Sequence, residues 1–345
     1  MGFSIGLMRA GWLGGLAAWC GFTLPSVLML IAFAALAPDL SGPVGDGLVH
    51  GLKLTAVAIV SQAVWDMGRR LCPDRTRVSI ALGSIVLLSV LTTIYAQLLV
   101  IALGAVLGTF ACRSDTAQSR PQPAHSIVSV IPVSHAASVA ALVTFCVLLF
   151  GVPVAASAMH AAGSGVLDQT LQLFDAFYRS GALVFGGGHV VLPLLQHQHA
   201  IVDAVSANDF LSGYGAAQAV PGPLFTFAAF LGWMMIAAPY RLAGAALATA
   251  AIFLPGLLLV IVALPHWQSL RSRASTAALF AGVNAAVVGL LATALYSPVW
   301  TSAVLTPIDF AIAVIGFLLL VRWKVPPLAV VTLCAVAGIA QVAFR

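Results

Sequence analysis

The sequence predicts an all-α, polytopic transmembrane helical bundle of two inverted-topology repeats with broken or re-entrant helices. Three observations predict it: the shortage of charge, the length of the apolar runs, and a repeat that keeps its glycines and prolines in order. Charged residues make up 7% of the chain and hydrophobic ones 61%, whereas a soluble globule carries about 25% charged residues. So little charge cannot cover a water-facing surface. Apolar runs of about 20 residues are what the hydrocarbon thickness demands of a spanning helix. They occur at 12–37, 136–158, 211–237 and 243–265. Lipid offers backbone N–H and C=O groups no partner, so such runs must be helical. The alternating segments of a β-barrel are not seen.

Charge placement narrows the class further. The net charge is +5, but a nucleic-acid partner is not expected. The basic residues sit in short clusters between apolar runs, where the positive-inside rule puts cytoplasmic loops. Every acid is an aspartate. The five cysteines, Cys20, Cys72, Cys112, Cys146 and Cys334, show no CxxC or Cys/His spacing, so no metal, cofactor or disulfide framework is expected. A nucleotide-driven pump is disfavoured because no GxxxxGK[ST] loop occurs. The first apolar run is too long for a signal-peptide core and carries Pro25 and Ser26 in mid-stretch, so no cleavable leader is read.

The chain divides at a polar, Pro/Ser/Gln-rich stretch, residues 113–135, read as a cytoplasmic linker. It separates a first half, 1–112, from a second, 136–345. Shifted by 230 positions, Gly14 meets Gly244, Ala18 meets Ala248, and Phe22-Thr23-Leu24-Pro25 meets Ile252-Phe253-Leu254-Pro255. With one residue of slip Gly51 and Lys53 meet Gly282 and Asn284, and 98–108 matches 328–338. Arg69, Arg70, Arg75 and Arg77 mark one inside loop, and Arg113 with Arg120 another. The uncharged stretch between, 79–111, would be about 50 Å long as one helix. Two short spans turning near Tyr95-Ala96-Gln97 fit better. Arg271 with Arg273 and Arg322 with Lys324 then lie inside, and 297–309 outside. The span at 50–66 runs inward while its counterpart at 276–295 runs outward, the inverted arrangement common in secondary transporters. The helix at 136–158 supplies the odd crossing.

The unusual sequence lies at 180–232. Phe185-Gly186-Gly187-Gly188-His189 sits inside an apolar run, and Gln218-Ala219-Val220-Pro221-Gly222-Pro223 follows about a helix later. Glycine costs a helix interior about 1 kcal/mol and proline about 3 kcal/mol relative to alanine. A simple lipid-facing span would not carry them. Broken backbone at membrane depth belongs where it is buried in protein or lines a wet cavity. Each break frees N–H groups at the start of the helix that follows, with the positive end of its dipole. The candidate anion ligands are therefore Gly186, Gly187, Gly188, His189, Gln218, Pro221, Gly222 and Pro223. The bland alternative is that the glycines allow close helix packing and the prolines kink. His189 is a functional candidate as an intramembrane ionisable group. His197 and His199 are read as solvated, and Lys53 as a snorkelling residue near a span end.

Those two motifs together resemble the chromate ion transporter (CHR) family, and Phe22-Thr23-Leu24-Pro25-Ser26 looks like the family's first half. The likeness covers nearly the whole chain. It implies chromate efflux across the bacterial inner membrane by a multi-pass protein, driven by the membrane potential or a proton gradient, with sulfate handled by some relatives. In the family each half has its own Gly-rich and Pro-Gly-Pro elements. By the repeat offset the first-half copies would precede Met1, so the first half is expected to be shortened at its N-terminus. An inactive remnant, or a subunit needing a partner chain, is the alternative to an active transporter. A homodimer stays open, and partners are a chromate- or sulfate-like oxyanion and the bilayer. An intramembrane enzyme built on His189 is the rival class; it lacks a paired acid or an HExxH motif, so no enzyme activity is expected.

Overall fold

The computed structural model describes residues 2–36, 42–91, 96–112, 134–161, 165–184, 188–266 and 274–343. The described residues form helices and no strand. In chain order these are α1 (Gly2–Leu36), α2 (Pro43–Leu71), α3 (Arg75–Val90), α4 (Ala96–Ala111) and α5 (His135–Ala161). Then come α6 (Gly165–Ala182), α7 (Val191–Gln196), α8 (His199–Val202), α9 (Ala207–Ala219) and α10 (Phe227–Met235). The chain closes with α11 (Arg241–Ala263), α12 (Ala274–Ala294), α13 (Pro307–Val321) and α14 (Pro327–Ala343). Five described helices, those starting at Gly2, Pro43, His135, Arg241 and Ser275, are long and apolar enough to cross a membrane. This is an all-α, multi-pass membrane protein.

Local chemistry sets the ends. Asp74 caps α3 by accepting from the Arg77 amide at 2.8 Å, and Ser206 caps α9 through the Asp209 amide at 3.0 Å. At α13 Thr306 and Asp309 cap reciprocally, at 3.2 and 2.8 Å, which satisfies two orphan donors at once. The apolar run predicted from residue 12 does begin there. Ala10 and Gly11 leave the helical region, and Gly11 sits at φ +64°, where only glycine is unstrained. The short piece before them folds back so that Gly6 meets Gly14 and Phe3 meets Gly15. The uncharged stretch after Arg77 is two short helices, as expected, although Ala96 and Gln97 already belong to α4 rather than to the turn.

One expected span is corrected. Residues 211–237 do not form a single crossing: α9 ends at Ala219, the chain is irregular through Pro223, and α10 runs only from Phe227 to Met235. The two helices double back. A Cβ on Gly213 would enter the Phe230 ring, and Phe210 stacks edge-on to Phe227 at 5.1 Å. The preceding segment behaves alike, with α7 and α8 returning along α6. Both hairpins open at the same end of the bundle, where Gln169 Nε2 of α6 donates to the Met235 carbonyl of α10 at 3.1 Å.

Around these hairpins the long helices pair crosswise. α2 packs on α13 and α14, and α12 packs on α3 and α4. Glycines make both seams close. A Cβ on Gly51 would lie 2.6 Å from the Ala335 Cα, and one on Gly108 would lie 2.7 Å from the Gly282 Cα.

Candidate functional site

The tips of the two hairpins meet. The turn Gly188–Val190 leads into α7 and the turn Leu224–Thr226 into α10, and they touch each other. A Cβ on Gly188 would stand 3.3 Å from that of Leu224. Both helices start at the tip and run away from it, so two positive dipole ends converge there. Beside them lies a cavity of about 640 Å³, bounded by His189, Gln218, Pro221 and Gly222. Sequence motifs some thirty residues apart thus form one site. Pro223 shapes the turn without lining the cavity, and Gly186 and Gly187 lie outside the described residues.

The tips are seated from behind. Ser26, fully buried on α1, donates its hydroxyl to the Pro221 carbonyl at 2.7 Å. A Cβ on Gly222 would fall on the Ser26 hydroxyl and come within 3.4 Å of the Phe22 carbonyl. The Phe22–Ser26 run in the first half is therefore the seat of the Pro-Gly-Pro turn in the second. His189 is held through Nδ1, 3.2 Å from the Tyr214 hydroxyl, on a residue with no exposed surface. Gln218, one turn beyond Tyr214, has its amide beside the Tyr214 hydroxyl, with a buried Nε2 that makes no hydrogen bond of good geometry. A buried, unpaired donor costs about 1–3 kcal/mol, and an oxyanion oxygen in the adjoining cavity would remove that penalty.

The third wall was not anticipated. α2 contributes Gln62, Asp66 and Arg70, four residues apart and so on one helical face. Arg70 carries a positive charge to the mouth, and the Asp66 carboxylate lies close enough to act on the His189 ring. Pro326, just ahead of α14, and Pro327, its first residue, complete the rim.

Other predicted residues are placed elsewhere. Lys53 is buried, not snorkelled to the surface: its ammonium donates to Asn208 Oδ1 at 2.6 Å, tying α2 to the start of α9. His197 and His199 are exposed, as expected. His50 Nε2 lies 2.7 Å from the buried Asp309, fixing the start of α13 against α2. Residues 113–133 of the linker and Arg271 with Arg273 lie outside the described residues.

Residues 1–109 and 171–339 match the family described as Chromate transporter, and the chain belongs to that family. It is 26% identical over 349 residues to the chromate transport protein of Pseudomonas aeruginosa, covering 97% of this chain and 76% of that protein. A probable chromate transport protein of Synechococcus elongatus is 25% identical over 354 residues, covering 98% and 80%. The chromate transport protein of Cupriavidus metallidurans is 30% identical over 117 residues, 33% of this chain and 28% of that one. No solved structure matches.

Proposed function

We propose that this member of the chromate transporter family is a secondary transporter that exports chromate, a tetrahedral dianion, across the cell's inner membrane. Its two halves, 1–112 and 136–345, are read as inverted copies joined by a cytoplasmic linker at 113–135. The observation that carries the reading is the meeting of two broken-helix tips, His189, Gln218 and Arg70 in one cavity. Half-helix N-termini aimed at a membrane-depth site are a recurring way for transporters to hold an anion without a full buried counter-charge. At roughly 30 Å³ per water, a cavity of about 640 Å³ admits the ion with much of its hydration shell. Arg70 then draws the anion in, the backbone amides beyond Gly188 and Leu224 replace part of its water, and Gln218 and His189 supply side-chain donors. No group in the cavity is arranged as a nucleophile with its base, which favours binding and release over covalent chemistry.

The test is uptake of labelled chromate into inverted vesicles. Accumulation that depends on the protein and falls with unlabelled chromate supports export. Competition by sulfate at the same concentration would widen the substrate to tetrahedral oxyanions in general, and absence of uptake from vesicles that contain the inserted protein overturns the proposal.

A further inference from the structure

The tip cavity opens toward one end of the bundle, and a second polar cavity of about 370 Å³ lies toward the other. Ser89, Gln97, His197, Thr293, Tyr296 and Ser297 contribute its polar groups. α3 measures the separation. It starts just after Leu71, beside the Arg70 rim of the first cavity, and its 16 residues rise about 24 Å to the second. The opposite ends of α2 agree with this. Arg70 at one end lines the tip cavity, whereas His50 near the other holds Asp309, at the end of the loop that Tyr296 and Ser297 begin.

Along the chain only α7 stands between them, since His189 lines the first cavity and His197 the second. Its Val191, Leu192, Leu194 and Leu195 are at most 1% exposed. This partition is weakly held by its own backbone. Pro193 has no N–H, so the His189 carbonyl loses its helical donor. The Pro193 carbonyl, at the end of the helix, is held by side chains instead. His197 Nδ1 donates to it at 2.8 Å and Gln97 Nε2 at 3.2 Å. A carbonyl only accepts, so Nδ1 carries the proton and Nε2 is the ring nitrogen left for a ligand. The second cavity has no acidic lining residue, whereas the first includes Asp66.

Resting on the transport reading, the geometry points to a second oxyanion station in this outer cavity, with α7 as the partition that moves aside to join the two. Gln97 is the tie that keeps it shut, because it fastens α7 to the α3–α4 pair and not to its own hairpin. The hydroxyls of Tyr296 and Ser297 are the donors an anion meets once past α7, and His197 adds a donor at Nε2 only in its doubly protonated form.

Single cysteines test this in a background where Cys20, Cys72, Cys112, Cys146 and Cys334 are replaced. Membrane-inserted Thr293→Cys and Gln62→Cys variants are treated with a membrane-impermeant thiol reagent, in whole cells and in inverted vesicles, and uptake is measured beside labelling in each and in the cysteine-free parent. Thr293→Cys is expected to react from the outer face and Gln62→Cys from the inner. At twice the half-saturating chromate concentration both should react about threefold more slowly, as simple competition requires. In a Leu194→Cys protein, adding Gln97→Leu should raise outer-face labelling several-fold. Reaction of Thr293→Cys from the inner face, or with no slowing by chromate while Gln62→Cys is protected, overturns the outer station. Loss of protection at both positions together with absent uptake overturns the transport reading itself.

Discussion

Gly222→Ala separates the two uses a glycine could have at the tip of α9–α10. The added methyl would strike the Ser26 hydroxyl and lie 2.9 Å from the Ser26 Cβ. Ser26 is fully buried and committed to the Pro221 carbonyl at 2.7 Å, so it cannot swing away without giving up that bond. Overpacking of this kind costs about 1–3 kcal/mol. Ser26→Ala alone removes a neutral hydrogen bond, worth about 0.5–1.5 kcal/mol. In the double variant the struck hydroxyl is gone while the Cβ contact and the φ of +158° remain, so the two losses should add only in part. A coupling of about 1 kcal/mol, in the direction of rescue, is expected for groups in direct contact. Thermal unfolding of the purified protein, read beside chromate uptake in inverted vesicles, measures both. Rescue of stability and uptake together makes Gly222 a packing residue that holds the tip in register. Additive losses, or a Gly222→Ala protein as stable as wild type, refute the seating of the turn on Ser26.

Three further outcomes are expected. His189→Leu should lose most chromate uptake while still inserting. His189→Gln should keep uptake but flatten its pH dependence, because a protonated imidazole beside a dianion strengthens binding as pH falls; identical profiles in wild type and His189→Gln would make the histidine structural. Arg70→Gln should raise KM several-fold and weaken its dependence on ionic strength, since the charge acts at the mouth, whereas an unchanged KM would remove Arg70 from the entry path. Gly51→Leu should destabilise by about 3 kcal/mol or more through the α2–α14 seam. Gly68→Leu on the same helix, where a Cβ meets nothing within 4 Å, should stay within about 0.5 kcal/mol; equal effects in thermal unfolding would contradict the seam.

What the sequence disclosed divides by range. Spans at 136–158 and 243–265 are legible because burial in lipid needs only length and apolarity, and α5 and α11 lie over them. Residues 211–237 misled for the same reason. Hydropathy sums side chains without regard to direction, and this stretch is apolar because it is buried in protein twice over, once in each arm of a hairpin. The breakers inside it were the better guide. Gly188 and Pro221–Pro223 predicted interrupted helices, and the interruptions do meet. The α2 wall was invisible for a different reason. Asp66 and Arg70 belong to the site only because α9 and the Gly188 turn lie against that face, a contact no local pattern encodes. From sequence alone Arg70 reads as a loop charge, whereas it lies in the last turn of α2.

On the proposed reading of two repeat copies, Gly51 corresponds to Gly282 and Gly108 to Gly338. In space they cross over: Gly51 meets Cys334, Ala335 and Gly338, while Gly282 meets Gly104 and Gly108. Each half therefore lends its central helix to the other half's terminal hairpin. Small residues at such seams allow the backbones to approach, and close packing is the main attraction between helices where lipid is as apolar as the side chains. Two seams built from small residues thus hold α2 against α14 and α12 against α4. α6, α9 and α10 have close seams of their own, Gly181 against Ile252, Gly215 against Leu52 and Gly232 against Gly244, and Gln97, Ser26 and Lys53 add polar ties.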